Sequence, residues 1–534
     1  MLIATVSSTA VLCQAKSPPD VKPLEAAYAD LADAYYVTET IDSGLFTTYQ
    51  GKDRAAWSQI YQAKRKELVA RLKNLSSENL RSVDARVVSF IRKALDSYML
   101  ENSGESLSPQ GRCHDAQQKE IEPSKLRDAL YSCFDEIGNN LQFEGRHLTR
   151  TGALSLLSTL DDQTRRKALF LAFQPLWAVI NDQDEPQSPY RRLLRNAGVK
   201  AAKEGYSFEA AARTLGIKPS EVEQWLERIL DAWRQVSGDQ MVEPWDYYYL
   251  NGQADRTLSS AIPRDSLLSL AERYYRDLGV DLKKLGVLYD LDPRPGKAPL
   301  AYMNFVTLGR QTGNTWRPTV VRISASYSGG GLSELNEFIH ENGHAVHGLA
   351  LRTRPAYMDL GDTLFVEAFA DVTSWDVYDS KWQEKYLGRA APDSISLRSQ
   401  YASVVLDCAW ALFEIRLLQQ PDADPNVVWT DITSRYLHIV PHREWSWWAL
   451  RVQLVDPGYM VNYGLGAALT ADLRRRTVQS IGSFQTGNSR WYPWLSENLL
   501  HFGNEKDTVE LLQGFLGRPV SPQALLDDIA RARP

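Results

Sequence analysis

Residues 338–347 read FIHENGHAVH, with His340 and His344 four positions apart and Glu341 directly after the first. On a helix of 3.6 residues per turn, positions i and i+4 share one face, so both imidazoles address the same point. That is the separation two ligands of one tetrahedral zinc ion require. Glu341 falls on the flank of this face, where it reaches a water at the metal without binding the metal itself, as a general base must. Helical spacing of Leu335, Phe338, Ile339, Val346 and Leu349 carries the pattern along the segment, with Ser333 as the expected N-cap.

A zinc site needs a third protein ligand. Downstream, Glu367 stands in Val366-Glu367-Ala368-Phe369-Ala370-Asp371, on a second predicted helix capped by Asp362. Asp371, four residues on, shares the face of Glu367 and is placed to accept the other ring N–H of a zinc histidine, fixing its tautomer. The neighbours Phe365, Ala368, Phe369 and Val372 are apolar, so this acid pair is not an ordinary solvated face. The expected centre is therefore one Zn2+ held by His340, His344 and Glu367, with Asp371 behind the ligands. A rival set of three histidines on one helix needs glycine at 347 and histidine at 350. The chain has His347 and Ala350, so His347 is read as packing behind the ligands.

Upstream, Thr319–Tyr327 (TVVRISASY) alternates like a strand and stops at Ser328 and three glycines, 329–331. Its edge would hold substrate backbone by pairing, or be an ordinary sheet edge. From Leu24 to Asn102, and again up to Gly238, the apolar spacing is helical, and the polar stretch 102–119 is a hinge candidate. Near the C-terminal end, Pro457-Gly458-Tyr459-Met460-Val461-Asn462-Tyr463-Gly464 sets two tyrosines one helical turn apart. Tyr459 or Tyr463 could donate a hydrogen bond to a developing oxyanion, or serve as an ordinary core aromatic. The Trp clusters at 445–448 and at 491 and 494 are read as core.

Composition bounds the rest. A chain of 534 residues exceeds what one compact core usually serves, which points to two subdomains around a cleft, divided at 16–240 and 241–534. The 60 basic and 66 acidic residues, net -6, are mixed along the chain, so nucleic acid is not an expected partner. Past the first dozen residues no apolar run approaches the roughly 20 residues of a membrane span. Residues 1–15 contain an apolar stretch ending at Cys13-Gln14-Ala15 and form a candidate signal peptide without the usual basic start, which leaves export and a cytoplasmic location equally open. Cys408 reads as a buried small hydrophobe, while Cys113 and Cys133 are either a disulfide or two free thiols.

Taken together, FIHENGHAVH, the segment Pro244-Trp245-Asp246-Tyr247-Tyr248-Tyr249, and Gly458-Tyr459 with Tyr463 resemble the thimet oligopeptidase and oligoendopeptidase F family of gluzincin peptidases. The likeness covers about residues 240–480. It implies a mainly α, two-lobed body around a deep channel, with a small β-sheet beside the zinc helix. It also implies cleavage of short unstructured peptides, and a monomer is expected. The spacing of Glu367 and Asp371 is similar to that of angiotensin-converting enzyme, but no lysine occurs between Lys385 and Lys506 to bind a terminal carboxylate as in that family. Leu454 stands near the place of the thimet-type histidine, so Arg451 or His442 is the expected substitute. Three functions follow as expectations: an oligopeptidase, a peptidyl-dipeptidase, or a zinc-bearing protein that binds peptides without turnover.

Overall fold

The computed structural model describes residues 20–75, 80–101, 113, 116, 121–181, 186–294, 297 and 300–533. The candidate signal segment lies outside the described residues, as does the hinge candidate 102–119 except for Cys113 and Ala116.

Helices α1 (Lys22–Asp42), α2 (Arg54–Asn74) and α3 (Ser82–Glu101) open the fold. Leu31, Val37, Leu68, Val88 and Ile91 pack there into a small apolar cluster that also takes in Val306 and Tyr357. A much larger cluster spans most of the remaining chain, with Leu226 and Trp233 in the same core as Trp410 and Leu465. Trp447, Trp448 and Trp491 are fully buried in it, so these tryptophans are core, as their burial value would suggest. Cys113 and Cys133 are joined in a disulfide, and Cys408 is a buried free thiol that donates to the Gly464 carbonyl. No helix among the described residues is long and apolar enough to cross a membrane.

The elements that build the site are α4 (Arg150–Thr159), α5 (Pro244–Asn251), α6 (Gln253–Leu258), a three-stranded sheet, and four later helices. In the sheet, β1 (Leu288–Asp290), β2 (Tyr302–Thr307) and β3 (Val320–Ser324) lie in the order β1-β3-β2. β1 runs parallel to β3, and β2 antiparallel to it. The expected strand at 319–327 is thus shorter and central. With its backbone paired on both sides it has no edge to offer, and β1 and β2 are the strands with an unpaired side.

Helices α7 (Gly331–Ala350), α8 (Thr363–Ser374), α9 (Asp393–Gln419) and α10 (Met460–Ile481) follow. Asp362 caps α8 as expected, its carboxylate accepting the Leu364 N–H at 3.0 Å. Ser333 does not cap α7, which already starts at Gly331. The first N–H groups of α7 are satisfied from afar: Gly331 donates to the Ile262 carbonyl at 2.8 Å, and Leu332 to Asp255 Oδ1 at 2.7 Å. Gly330 and Gly331 have φ of 75° and 88°, which lets the loop turn tightly against Ile262. Glu334, in the first turn, reaches back to accept the N–H groups of Ser328, Gly329 and Gly330 at 3.1, 3.2 and 2.7 Å.

Candidate active site

Gly343, in the middle of α7, explains how two helices come to share one centre. A Cβ there would lie 2.8 Å from both Cα and O of Ala370, so the missing side chain lets α7 lie against the α8 backbone. That contact carries Glu367 under the two histidines. His340 Nε2 and His344 Nε2 are 3.1 Å apart, and Glu367 Oε2 lies 3.3 Å from the first and 3.7 Å from the second. Ligand atoms about 2.1 Å from a tetrahedral ion are separated from one another by about 3.4 Å, so the three atoms match the edges of such a site. His340 Nδ1–H donates to Asp371 Oδ1 at 2.7 Å, which turns the Nε2 lone pair toward the other two atoms. Ser374 Oγ donates to the same carboxylate oxygen at 2.8 Å and holds it in place.

The fit to a divalent cation does not rest on distances alone. Glu341 Oε2 and Glu367 Oε2 are buried without a hydrogen-bond partner, which is costly for oxygens unless a cation or its water completes them. His340, Glu341 and His344 can also bring one ligand atom each within 4.8 Å of one another. Burial raises the pKa of Glu341, opposed by the charges of His344 and His340 and by the Met303 N–H on β2. For Glu367 burial acts the same way, but the close approach of His340 and His344 outweighs it and holds the carboxyl well below the usual range.

Tyr459 lies at the N-terminus of α10 and donates to Glu367 Oε1 at 3.1 Å. Tyr463 stands one turn on, its ring centroid 5.9 Å from that of Tyr459, and it lines the cleft with His340 and Glu341. Glu414 steadies this helix start by accepting the Met460 N–H at 2.7 Å. Of the two expected substitutes for the missing histidine, Arg451 lines the cleft and pairs with Asp407. His442 lies elsewhere, bridging Glu243 and Glu444 at 2.7 and 3.0 Å and stacked on Trp445.

The cleft, of about 360 Å³, runs from His340 and Glu341 toward the N-terminus of α7 and is walled by α4, α5 and α9. Within the Trp-Asp-x-x-Tyr-Tyr-like segment, Trp245 is core and Asp246 pairs with Arg166 at 2.7 Å, while Tyr247 and Tyr248 face the cleft. Sequence reading missed Glu337, Arg150 and Asp407. Glu337 precedes His340 by three residues and so shares its face, a signal that was available; burial and the nearby Glu341 charge push it up to about 7. Arg150 and Asp407 come from distant helices, and nothing in their own neighbourhoods announces them.

No family model and no curated protein matches the chain. Solved structures do. PZ peptidase A, solved with an inhibitor, superimposes with a TM-score of 0.58 at 15% identity, over 97% of this chain and 97% of that one. A protein assigned as an oligoendopeptidase F gives a TM-score of 0.58 at 16% identity, again over 97% of each chain. From end to end, the chain has the mainly α fold of these two peptidases, which is the fold the resemblance of its motifs implies.

Proposed function

We propose that the chain is a zinc-dependent oligopeptidase that hydrolyses short unstructured peptides in this cleft. The observation that carries the reading is the convergence of His340 Nε2, His344 Nε2 and Glu367 Oε2 within 3.1 to 3.7 Å, with the unpartnered Glu341 Oε2 on their flank. Zinc bound by these three residues would supply a Lewis acid that polarises the scissile carbonyl and acidifies a water. Glu341 takes the proton from the attacking water and returns it to the leaving amine. Asp371 keeps His340 in the tautomer that presents Nε2. Tyr459 steadies Glu367, which leaves Tyr463 as the donor assigned to the oxyanion. The fold shared with two peptidases supports this reading.

The test is product mapping by mass spectrometry on a mixed peptide library, with chelator and zinc re-addition as controls. Wild type should cleave internal bonds, lose activity with chelator and regain it with zinc. Glu341→Gln should retain zinc by metal analysis yet lose about 100- to 10,000-fold in kcat/KM, the usual weight of a general base. Wild type as inactive as this variant across the library would leave a peptide-binding protein without turnover, and removal of C-terminal dipeptides alone would make it a peptidyl-dipeptidase.

A further inference from the structure

The inference concerns the substrate class and rests on the peptidase reading above. Arg150, the first residue of α4, lines the cleft and is only 5% exposed. A guanidinium has five N–H donors. Among the described residues only one of these finds an acceptor, Nε donating to the Leu450 carbonyl at 2.9 Å, and no carboxylate lies within ion-pair distance. Burial, reinforced by the like charge of Arg451, pushes its pKa down to about 10. A buried cation left without a counter-charge is expensive, and proteins keep one where an anion arrives to complete it.

The surroundings are organised for such an arrival. Arg451 follows Leu450 in the chain and faces the same cleft, held by Asp407 and lying over the ring of Trp410 at 5.0 Å. Tyr248 lines the same wall, within electrostatic reach of both arginines. Three side chains that donate hydrogen bonds thus border one region. The acidic residue nearest in effect is Glu337, which burial and the Glu341 charge push up to about 7 and which makes no ion pair with Arg150. Of the other cleft acids, Asp255 is bonded to Leu332 and Ser158, Glu334 to its loop, Asp371 to His340 and Asp407 to Arg451, while Glu341 stands beside the two histidines.

We propose that Arg150, with Arg451 and Tyr248 beside it, forms a subsite for a carboxylate of the substrate peptide. Glu337, whose charge reaches Arg150, lies four residues or about 6 Å along the helix before Glu341, and an extended peptide advances about 3.4 Å per residue. The carboxylate therefore sits within a few residues of the bond that is cleaved. It belongs either to the peptide's own C-terminus or to an Asp or Glu side chain near it.

Calorimetric titration of the zinc-loaded protein separates these sources without requiring turnover. The probes are N-acetylated Ala-Ala-Phe-Ala-Ala as the free acid, as the C-terminal amide, and as amides with Asp or Asn at the last position. Either the free acid or the Asp amide should bind roughly 10- to 100-fold more tightly than its neutral counterpart, the weight of one charge-assisted contact. The tighter of the two names the source. Arg150→Gln should collapse that ratio toward one, and Arg150→Lys should retain part of it. If the glutamine variant does not fold, the wild-type ratio and the lysine variant still decide. Equal binding of charged and neutral peptides, or a preference that survives Arg150→Gln, overturns the subsite. Hydrolysis without any carboxylate preference sinks the subsite alone, whereas carboxylate-selective binding without hydrolysis keeps the subsite and sinks the peptidase.

Discussion

His347 lies one turn beyond His344, yet its ring packs between Phe365 and Phe369 with centroid distances of 5.3 Å to each. It is 1% exposed, its Nδ1 has no hydrogen-bond partner, and burial pulls its pKa from an ordinary 6.5 down to about 3. The unfolded chain therefore binds a proton at His347 across a window in which the folded chain does not. This contribution to stability is complete above pH 6.5 and is lost as the pH falls from there toward 3. His347→Leu removes the buried polar atom and keeps the volume, so it should match wild type at neutral pH within about 1 kcal/mol and lose less stability on acidification. Thermal unfolding of both proteins at neutral pH and at about pH 5 measures the difference in slope. At this scale the proposed ligands and base are legible, because side chains that converge from helices write their spacing into the chain. Arg150 is not, since its meaning comes from the lack of a paired carboxylate among the described residues, which only the assembled fold defines.

Between elements, the decisive contact is α7 against α8. Gly343→Ala would place a methyl 2.8 Å from the backbone of Ala370, which cannot rotate aside as a side chain can. The helices must part, costing about 1–3 kcal/mol by the usual scale of overpacking, and the separation should weaken zinc binding as well. Gly348→Ala on the same helix is the control, since its Cβ would meet the side chains of Phe305 and Val321 at 3.2 and 3.4 Å. Zinc titration and thermal unfolding should show the larger loss at 343 in both measurements, and equal losses would remove the close approach as the cause. The two helices and the Asp362 cap could be read locally. The start of α7 could not, because Asp255 and Ile262, which satisfy its first N–H groups, are about 70 to 80 residues upstream. Strand order is likewise a long-range property, which is why β3 looked like an edge.

Across the whole molecule, Arg354 ties the small N-terminal cluster to the chain that follows α7. It donates to Glu25 on α1 at 2.9 and 2.8 Å and to Asp84 on α3 at 3.1 Å. Both acids are buried, while Arg354 is 32% exposed. Arg354→Met strands the Glu25 carboxylate and leaves Asp84 to Arg81 alone, and should destabilise by about 1–3 kcal/mol, less than for a fully buried pair because water reaches this arginine. The unfolding midpoint should drop while zinc content stays at the wild-type level, and loss of zinc would show that this link also shapes the site. Helical class was legible from periodicity alone, whereas the single large cluster that crosses residue 240 was not, since periodicity says which face is apolar but not what covers it.

The proposed ligands also have an order in time. His340, His344 and Glu367 leave the ribosome close together, whereas Tyr459, which donates to Glu367, comes 92 residues later. At roughly 5–20 residues per second, that gap lasts on the order of 5–20 seconds. During it the α7–α8 hairpin meets whatever cation the surroundings offer, without the hydroxyl that later orients its carboxylate. Which ion would first occupy the proposed centre then depends on supply at the moment of synthesis as much as on the finished cleft.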